Sequence, residues 1–158
     1  MVKTKIITVG KLKEKSMKEL ISEYEKRLSK YTDISVVQIQ DLSLSDNPSQ
    51  KEIDNVLDKE GTLILKNIPD NMVSVALTID GKSFSSEEFA EFIEKNKLSG
   101  GICFVIGSSH GIAKKVTDKC KFHISLSKMT FPHNLARLIL TEQIYRGFKI
   151  LANESYHK

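Results

Sequence analysis

Five short apolar runs, rich in β-branched residues, are spread along the chain and are separated by stretches with apolar residues at helical spacing. The first run ends at Gly10, and the third is followed by Asp80-Gly81, which predicts a turn there. The pattern therefore predicts five strands, KIITV (5–9), ISVVQIQ (34–40), MVSVALTI (72–79), ICFVIG (102–107) and FHISL (122–126).

Helix signals lie between and after these runs. Residues 16–30 have helical periodicity, and Ser49 with Glu52 forms a capping box that starts a helix to about Asn67. Ser85 or Ser86 caps a third helix, which ends at Gly100-Gly101. Two more helices are predicted, a short one at 111–119 and a final one from Pro132, which fits the first turn, to about Ala152.

Strands that alternate with helices are typical of an α/β domain whose sheet is mainly parallel and flanked by helices. The Asn47-Pro48 pair indicates a loop, and no linker, repeat or low-complexity segment divides the sequence. We therefore expect one domain over residues 1–158.

The apolar runs are too short for a membrane protein, since none approaches roughly 18 residues. The run from Ile6 to Val9 has lysine on both sides, which excludes a signal peptide. Cys103 and Cys120 lack CxxC spacing, and Cys103 lies in an apolar run typical of a buried thiol. We expect a cytoplasmic protein.

The net charge of +4 is unevenly distributed. Residues 1–40 carry 9 Lys/Arg and 5 Asp/Glu, residues 41–109 carry 6 and 12, and residues 110–158 carry 9 and 3. A basic final third favours a nucleic-acid partner, because clustered lysine and arginine bind phosphates. A solvated lysine face explains the same composition, so both interpretations stay open.

Three strand ends are candidate ligand sites, since ligands of open α/β sheets bind beyond the carboxyl ends of the strands. They are LTIDGK (77–82), FVIGSSHG (104–111) and the SKMTF segment that follows FHISL. The GSSHG loop is also explained as a tight turn without a ligand. No GxSxG elbow or metal-ligand spacing occurs, so hydrolase and metalloenzyme functions and a metal site are not expected.

The final helix combines two candidate catalytic residues with an unusually apolar surface. His133 and Arg137 are four apart at the positively polarised end, where a base and a fixed cation suit an anion. A capping histidine and a surface ion pair explain them equally well. Two apolar stripes favour burial on several sides, as in a symmetric dimer. The stripes are Ala136, Leu140, Ile144 and Leu151, and Leu135, Ile139 and Ile150.

A co-linear set of segments resembles the ribosomal RNA large subunit methyltransferase H family, which belongs to the SPOUT class of S-adenosylmethionine-dependent enzymes. The segments are GKLKEK, EYEKRL, FVIGSSHG, LSKMTFPH, LTEQIYRGFKI and the terminal YHK. The resemblance implies a SPOUT-type α/β fold with a C-terminal trefoil knot at about 102–152. It also implies a homodimer that methylates N3 of a pseudouridine in 23S rRNA within the ribosome, in a stem-loop at the subunit interface.

The resemblance also assigns site residues. It implies S-adenosylmethionine as the cofactor, held by Leu77, Gly107, Leu126, Ser127, Lys128, Met129, Thr130 and Phe131. Because N3 must lose its proton, we predict His133, Arg137 and His157 as catalytic residues, the last from the partner's tail. Predicted substrate contacts are Arg137, Tyr156, His157 and Lys158.

One residue departs from the family pattern. Ser108 stands where the family usually has a second glycine, and its Cβ would crowd the cofactor if the residue had a positive φ. A non-catalytic RNA- or ribosome-binding paralogue that retains the fold is therefore the alternative function. Binding of S-adenosylmethionine distinguishes the two.

Overall fold

The periodic segments form helices and strands close to their predicted limits. The computed structural model describes residues 1–157, so Lys158, a predicted substrate contact, lies outside the described residues. Within that range no helix combines the length and apolarity needed to cross a bilayer. The elements are β1 (Lys3–Val9), α1 (Lys15–Leu28), β2 (Asp33–Ile39), α2 (Gln50–Asn67), β3 (Val73–Ser83), α3 (Ser86–Asn96), β4 (Ile102–Ile106), α4 (Lys114–Lys119), β5 (Phe122–Ser125) and α5 (His133–Leu151).

The five strands form one sheet in the order β2-β1-β4-β3-β5, and every neighbouring pair is parallel. This confirms the predicted α/β fold with a parallel sheet. All five carboxyl ends therefore lie along the same edge of the sheet, which is where a ligand is expected. The trefoil knot implied by the resemblance stays a prediction.

Two apolar layers cover the faces of the sheet, because successive strand residues point to opposite sides. Ile6 and Phe104 belong to the layer under α1, α3 and α5, whereas Ile7 and Val105 belong to the layer under α2 and α4. Cys103 is buried in the second layer, as predicted, and burial raises the pKa of its thiol to about 12. The thiol is thus unreactive at neutral pH.

The predicted turn at Asp80-Gly81 is wrong, because β3 continues to Ser83. Leu77 and Lys82 both pair with Ile124, so residues 78–81 bulge out of the strand. Gly81 permits this close return, since a Cβ there would lie 2.7 Å from the carbonyl carbon of Ile124. The bulge places Thr78 and Ile79 in the wall of a cavity at the carboxyl edge.

The helix starts differ in their caps. The predicted capping box of Ser49 and Glu52 is confirmed at α2, and Ser85 forms another with Glu88 at α3. Helix α5 starts one residue later than predicted: Pro132 precedes it in an extended conformation, and no side chain caps the helix. The amides at this end thus have no side-chain cap.

Candidate active site

Three strand ends and the start of α5 enclose a cavity of about 440 Å³. Its walls come from the β3 bulge, the loop after β4, the segment after β5, and His133 with Ala136 of α5. Seven of the eight predicted cofactor contacts line it, and Lys128 does not. The seven are Leu77, Gly107, Leu126, Ser127, Met129, Thr130 and Phe131.

The cavity suits a nucleoside-like ligand with both apolar and polar parts. Small-molecule sites typically measure ~300–1,000 Å³ and combine apolar walls with a few polar groups. Apolar side chains such as Ile79, Ile106 and Phe131 form much of the wall. Two lining residues, Thr78 and Ser108, carry buried hydroxyl oxygens without a hydrogen-bond partner. The lining residues therefore fit S-adenosylmethionine, which carries adenine, ribose and an amino acid.

The loop after β4 is a tight turn that also lines the cavity. The Gly111 amide donates to the Ser108 carbonyl at 2.9 Å, and Gly111 has a φ of +94°. A Cβ on Gly107 would lie 2.2 Å from the Gly111 carbonyl oxygen, so the turn closes only over a glycine. Within residues 1–157, Asn153 is the only non-glycine residue with a positive φ. The condition under which Ser108 would crowd the cofactor is therefore not met.

Glu60 of α2 lies behind this loop and was not identified from the sequence. It is 2% exposed, and neither carboxylate oxygen has a hydrogen-bond partner. Burial raises the pKa of this carboxyl, and the nearby Ser108 hydroxyl only partly offsets that effect. A sequence signal existed, because Val56, Glu60 and Ile64 follow one another at i, i+4 spacing on the apolar side of the helix.

His133 is the predicted catalytic residue that lines the cavity within a single chain. Its imidazole packs against Gly10, where a Cβ would lie 2.8 Å from Nε2. Gly10 has a φ of +97°, which favours glycine at this turn after β1. A side chain at this position would also occupy the space of the His133 ring. The contact joins the first strand to the last helix at the cavity wall.

Arg137 does not line the cavity of its own chain. It is 4% exposed, and its Nη2 lies 3.2 Å from Glu25 Oε1 of α1. Its Nε and Nη1 atoms have no hydrogen-bond partner. The ion pair is therefore buried on the arginine side, unlike the surface pair considered from the sequence, and it leaves part of a charged group unsatisfied.

The tail residues Tyr156 and His157 do not line the cavity of their own chain. The Tyr156 hydroxyl lies 3.2 Å from Glu142, and His157 lies 3.2 Å from Arg146 and 2.7 Å from Glu87. The hydrogen bond to His157 lowers the pKa of Glu87. A catalytic or substrate-binding role for these residues thus requires a second subunit and stays a prediction.

A second cavity of about 530 Å³ adjoins the first and shares Ser109, His110 and His133 with it. The residues after β1 and β2 line its other sides, including Lys11, Lys13 and Asp41. These residues were not selected as site residues from the sequence, although Lys11 and Lys13 belong to the GKLKEK segment of the resemblance.

Comparison with known proteins supports an enzyme of the predicted class. Residues 2–157 match the family described as "Predicted SPOUT methyltransferase". The chain is 50% identical over 155 residues to the ribosomal RNA large subunit methyltransferase H of Clostridium botulinum strain 657, with 97% of this chain and 98% of the relative covered. The protein of the same name from Clostridium kluyveri is 48% identical over the same share of both chains. The chain therefore belongs to the SPOUT methyltransferase family, as the resemblance predicted.

Proposed function

We propose that this enzyme transfers a methyl group from S-adenosylmethionine to N3 of a pseudouridine in 23S rRNA, in a stem-loop at the interface of the ribosomal subunits. The observation that carries the proposal is the similarity of nearly the whole chain to enzymes named ribosomal RNA large subunit methyltransferase H. The cavity at the carboxyl edge supports it, because the lining is suitable for the methyl donor. Because the proposed substrate is ribosomal RNA, we also propose that the enzyme acts in the cytoplasm.

The cofactor contacts are proposed from the resemblance and from the cavity. Backbone groups at Gly107 and in the segment 126–131 bind the polar parts of the molecule, and Leu77, Met129 and Phe131 pack against its apolar surfaces. Met129 is 74% exposed, and a ligand would cover it. S-adenosylmethionine, when bound, supplies a methyl group on an already activated sulfonium. We also propose the family's trefoil knot for residues 102–152, within one domain of residues 1–158.

Catalysis then depends on orientation and on removal of one proton. The cavity walls hold the base and the methyl donor in reacting geometry, which is a large part of the rate enhancement for a two-substrate reaction. His133 lies at the cavity and is the proposed acceptor of the N3 proton. Arg137, which lies one turn from the cavity wall, and the partner's His157 are proposed to stabilise the anionic base.

A homodimer is proposed because α5 is only partly covered by its own chain. Leu140 and Ile144 of the first stripe are each 1% exposed and pack into the core, whereas Leu135 of the second stripe is 36% exposed. Ile139 and Ile150 are half-buried. A second copy on this face would cover these residues and bring its Tyr156 and His157 towards the cavity.

Calorimetry with S-adenosylmethionine and a tritiated-methyl transfer assay on ribosomes test the proposal together. We expect saturable binding of the cofactor, transfer to 23S rRNA, and a mass increase of one methyl at a single pseudouridine. The matched control is 23S rRNA from cells that lack the protein. RNA binding without cofactor binding would instead identify the non-catalytic paralogue and overturn the proposal.

A further inference from the structure

The second cavity forms a cleft at the same carboxyl edge of the sheet, one step away from the proposed cofactor site. Its walls are the segment after β1 (10–13), the segment after β2 (40–44), Ser109 with His110 after β4, and His133 with Asn134 of α5. Since Ser109, His110 and His133 line both cavities, the cleft adjoins the proposed cofactor cavity along a shared wall.

The charges of this cleft favour an anionic ligand. Lys11 and Lys13 are exposed, and among residues 1–157 neither has an acidic partner, whereas the next lysine, Lys15, lies near Glu19. Asp41 is the one acidic residue in the lining. The lining therefore combines two ammonium groups that have no acidic partner with a single carboxylate, which is typical of a phosphate-binding surface.

Two other surface hollows lack this combination. One lies on the outer side of α1, where Lys18 and Lys26 stand beside Glu19 and Glu23. Another lies at the opposite edge of the sheet, around Met1 and Asp33. Neither shares a lining residue with the proposed cofactor cavity, so a ligand held there would be remote from the methyl donor.

We propose that the cleft binds the RNA backbone beside the target nucleotide, with Lys11 and Lys13 contacting phosphates. The target base then passes the shared wall of Ser109, His110 and His133 and enters the cofactor cavity. Enzymes that modify a base take it out of the stack, and sequence-specific RNA recognition uses unpaired loops whose bases can be splayed out. The inference rests on the proposed function, and it adds a substrate site within a single chain.

The test compares two double variants, Lys11→Ala/Lys13→Ala in the cleft and Lys18→Ala/Lys26→Ala in the hollow on α1. Binding of a 23S rRNA stem-loop fragment is measured by filter binding over a range of salt, cofactor binding by calorimetry, and methyl transfer by steady-state kinetics. For the cleft variant we expect RNA binding at least tenfold weaker and a salt dependence reduced by about 1.4 on logarithmic axes, for two single-strand phosphate contacts. Its KM for RNA rises, while cofactor affinity stays within twofold.

The control variant should keep the wild-type RNA affinity. Wild-type affinity and salt dependence in the cleft variant, or an equal loss in both variants, would overturn the inference. If the wild-type protein binds the fragment through Lys11 and Lys13 but transfers no methyl, the proposed function fails and the binding site stands. If it methylates the RNA and the cleft variant does so equally well, the site fails and the function stands. Absence of binding to the fragment by the wild type would overturn the inference, whereas the proposed function is decided by the transfer assay on ribosomes.

Discussion

The two ends of helix α5 differ in how completely their polar groups are bonded. At the carboxyl end, Glu142 binds Arg146 and the Tyr156 hydroxyl, and Lys149 contacts both Tyr31 and Glu154. At the amino end, no side chain caps the helix, and two nitrogens of Arg137 lack a partner. One end is stabilised by the chain's own tail, whereas the other end has polar groups that the chain itself does not satisfy.

This difference extends beyond the helix. In the part of the chain that the structure describes, the buried side-chain atoms without a partner belong to Glu60, Thr78, Ser108 and Arg137. Thr78 and Ser108 line the cavity, Glu60 lies behind it, and Arg137 lies one turn from its wall. A buried polar group without a partner costs ~1–3 kcal/mol. The region around the cavity is therefore less stable in isolation than the carboxyl end of α5, and a ligand or a second subunit could supply the missing partners.

The largest expected effect is that of Arg137→Ala at the amino end. We expect at least a hundredfold loss of methyl transfer with cofactor affinity within twofold, because the proposed role of this cation concerns the base and not the methyl donor. The tritiated-methyl assay and calorimetry measure the two effects. Lys149→Met at the other end is the matched control and should lower the melting temperature while transfer persists. Wild-type transfer by Arg137→Ala would contradict the prediction.

A smaller effect is expected in the loop of the cavity wall, with Gly107→Ala. The new Cβ would lie 2.2 Å from the Gly111 carbonyl, so the loop must move and cofactor affinity should fall at least tenfold. Gly111→Ala is the comparison, since nothing lies within 4 Å of its Cβ and only its φ of +94° is unfavourable. That strain costs ~1 kcal/mol. Similar cofactor affinities of the two variants would show that the tight closure at Gly107 does not shape the site.

Glu60→Gln tests whether the buried polar groups around the cavity that lack a partner lower the stability of the fold. The pKa of Glu60 is raised above its ordinary value of 4.5, so its contribution to stability is full below that value and is lost as the pH rises through the raised pKa. The neutral variant should therefore be more stable than the wild type at pH 8, and the difference in the free energy of unfolding should vanish near pH 4. Denaturant unfolding from pH 4 to pH 8 measures it. Parallel pH profiles of the two proteins would refute the assignment.

The smallest effect is expected for Tyr156→Phe, which removes a hydrogen bond between the tail and the carboxyl-terminal half of α5. The variant loses the hydrogen bond to Glu142 and should lose ~0.5–1.5 kcal/mol of stability. Thermal unfolding measures this loss, and the transfer assay reports the role of the tail. A loss of transfer much greater than the loss of stability would indicate that Tyr156 also acts in the partner's site, as the dimer proposal requires.

The fold follows largely from the sequence, because strand and helix periodicities differ clearly in this chain. Parallel pairing then places all strand ends on one edge, so the segments around Leu77, Gly107 and Met129 were expected to meet. The error at Asp80-Gly81 has a physical reason: the close return of Gly81 towards Ile124 depends on a strand that lies forty residues later. Local turn chemistry contains no information about that contact.

The site was less predictable than the fold. The i, i+4 spacing of His133 and Arg137 indicated one shared face, but tertiary contacts separate the side chains, with His133 against Gly10 and Arg137 against Glu25. The cleft around Lys11 was not predicted, because its walls come from loops that only the assembled sheet brings together. For Ser108 the sequence left a single question open, namely whether its φ is positive. The structure answers it, since the φ of Ser108 is not positive.

The position of β1 between β2 and β4 has a consequence for folding kinetics. Its partner β4 pairs Ile102 with Thr4, roughly a hundred positions earlier in the chain, and closing so long a loop before any contact forms is slow. The contact of Gly10 with His133 forms across an even longer loop. The pairing of β1 with β4 therefore depends on the second half of the chain, and we expect binding competence to return as one of the last events of refolding.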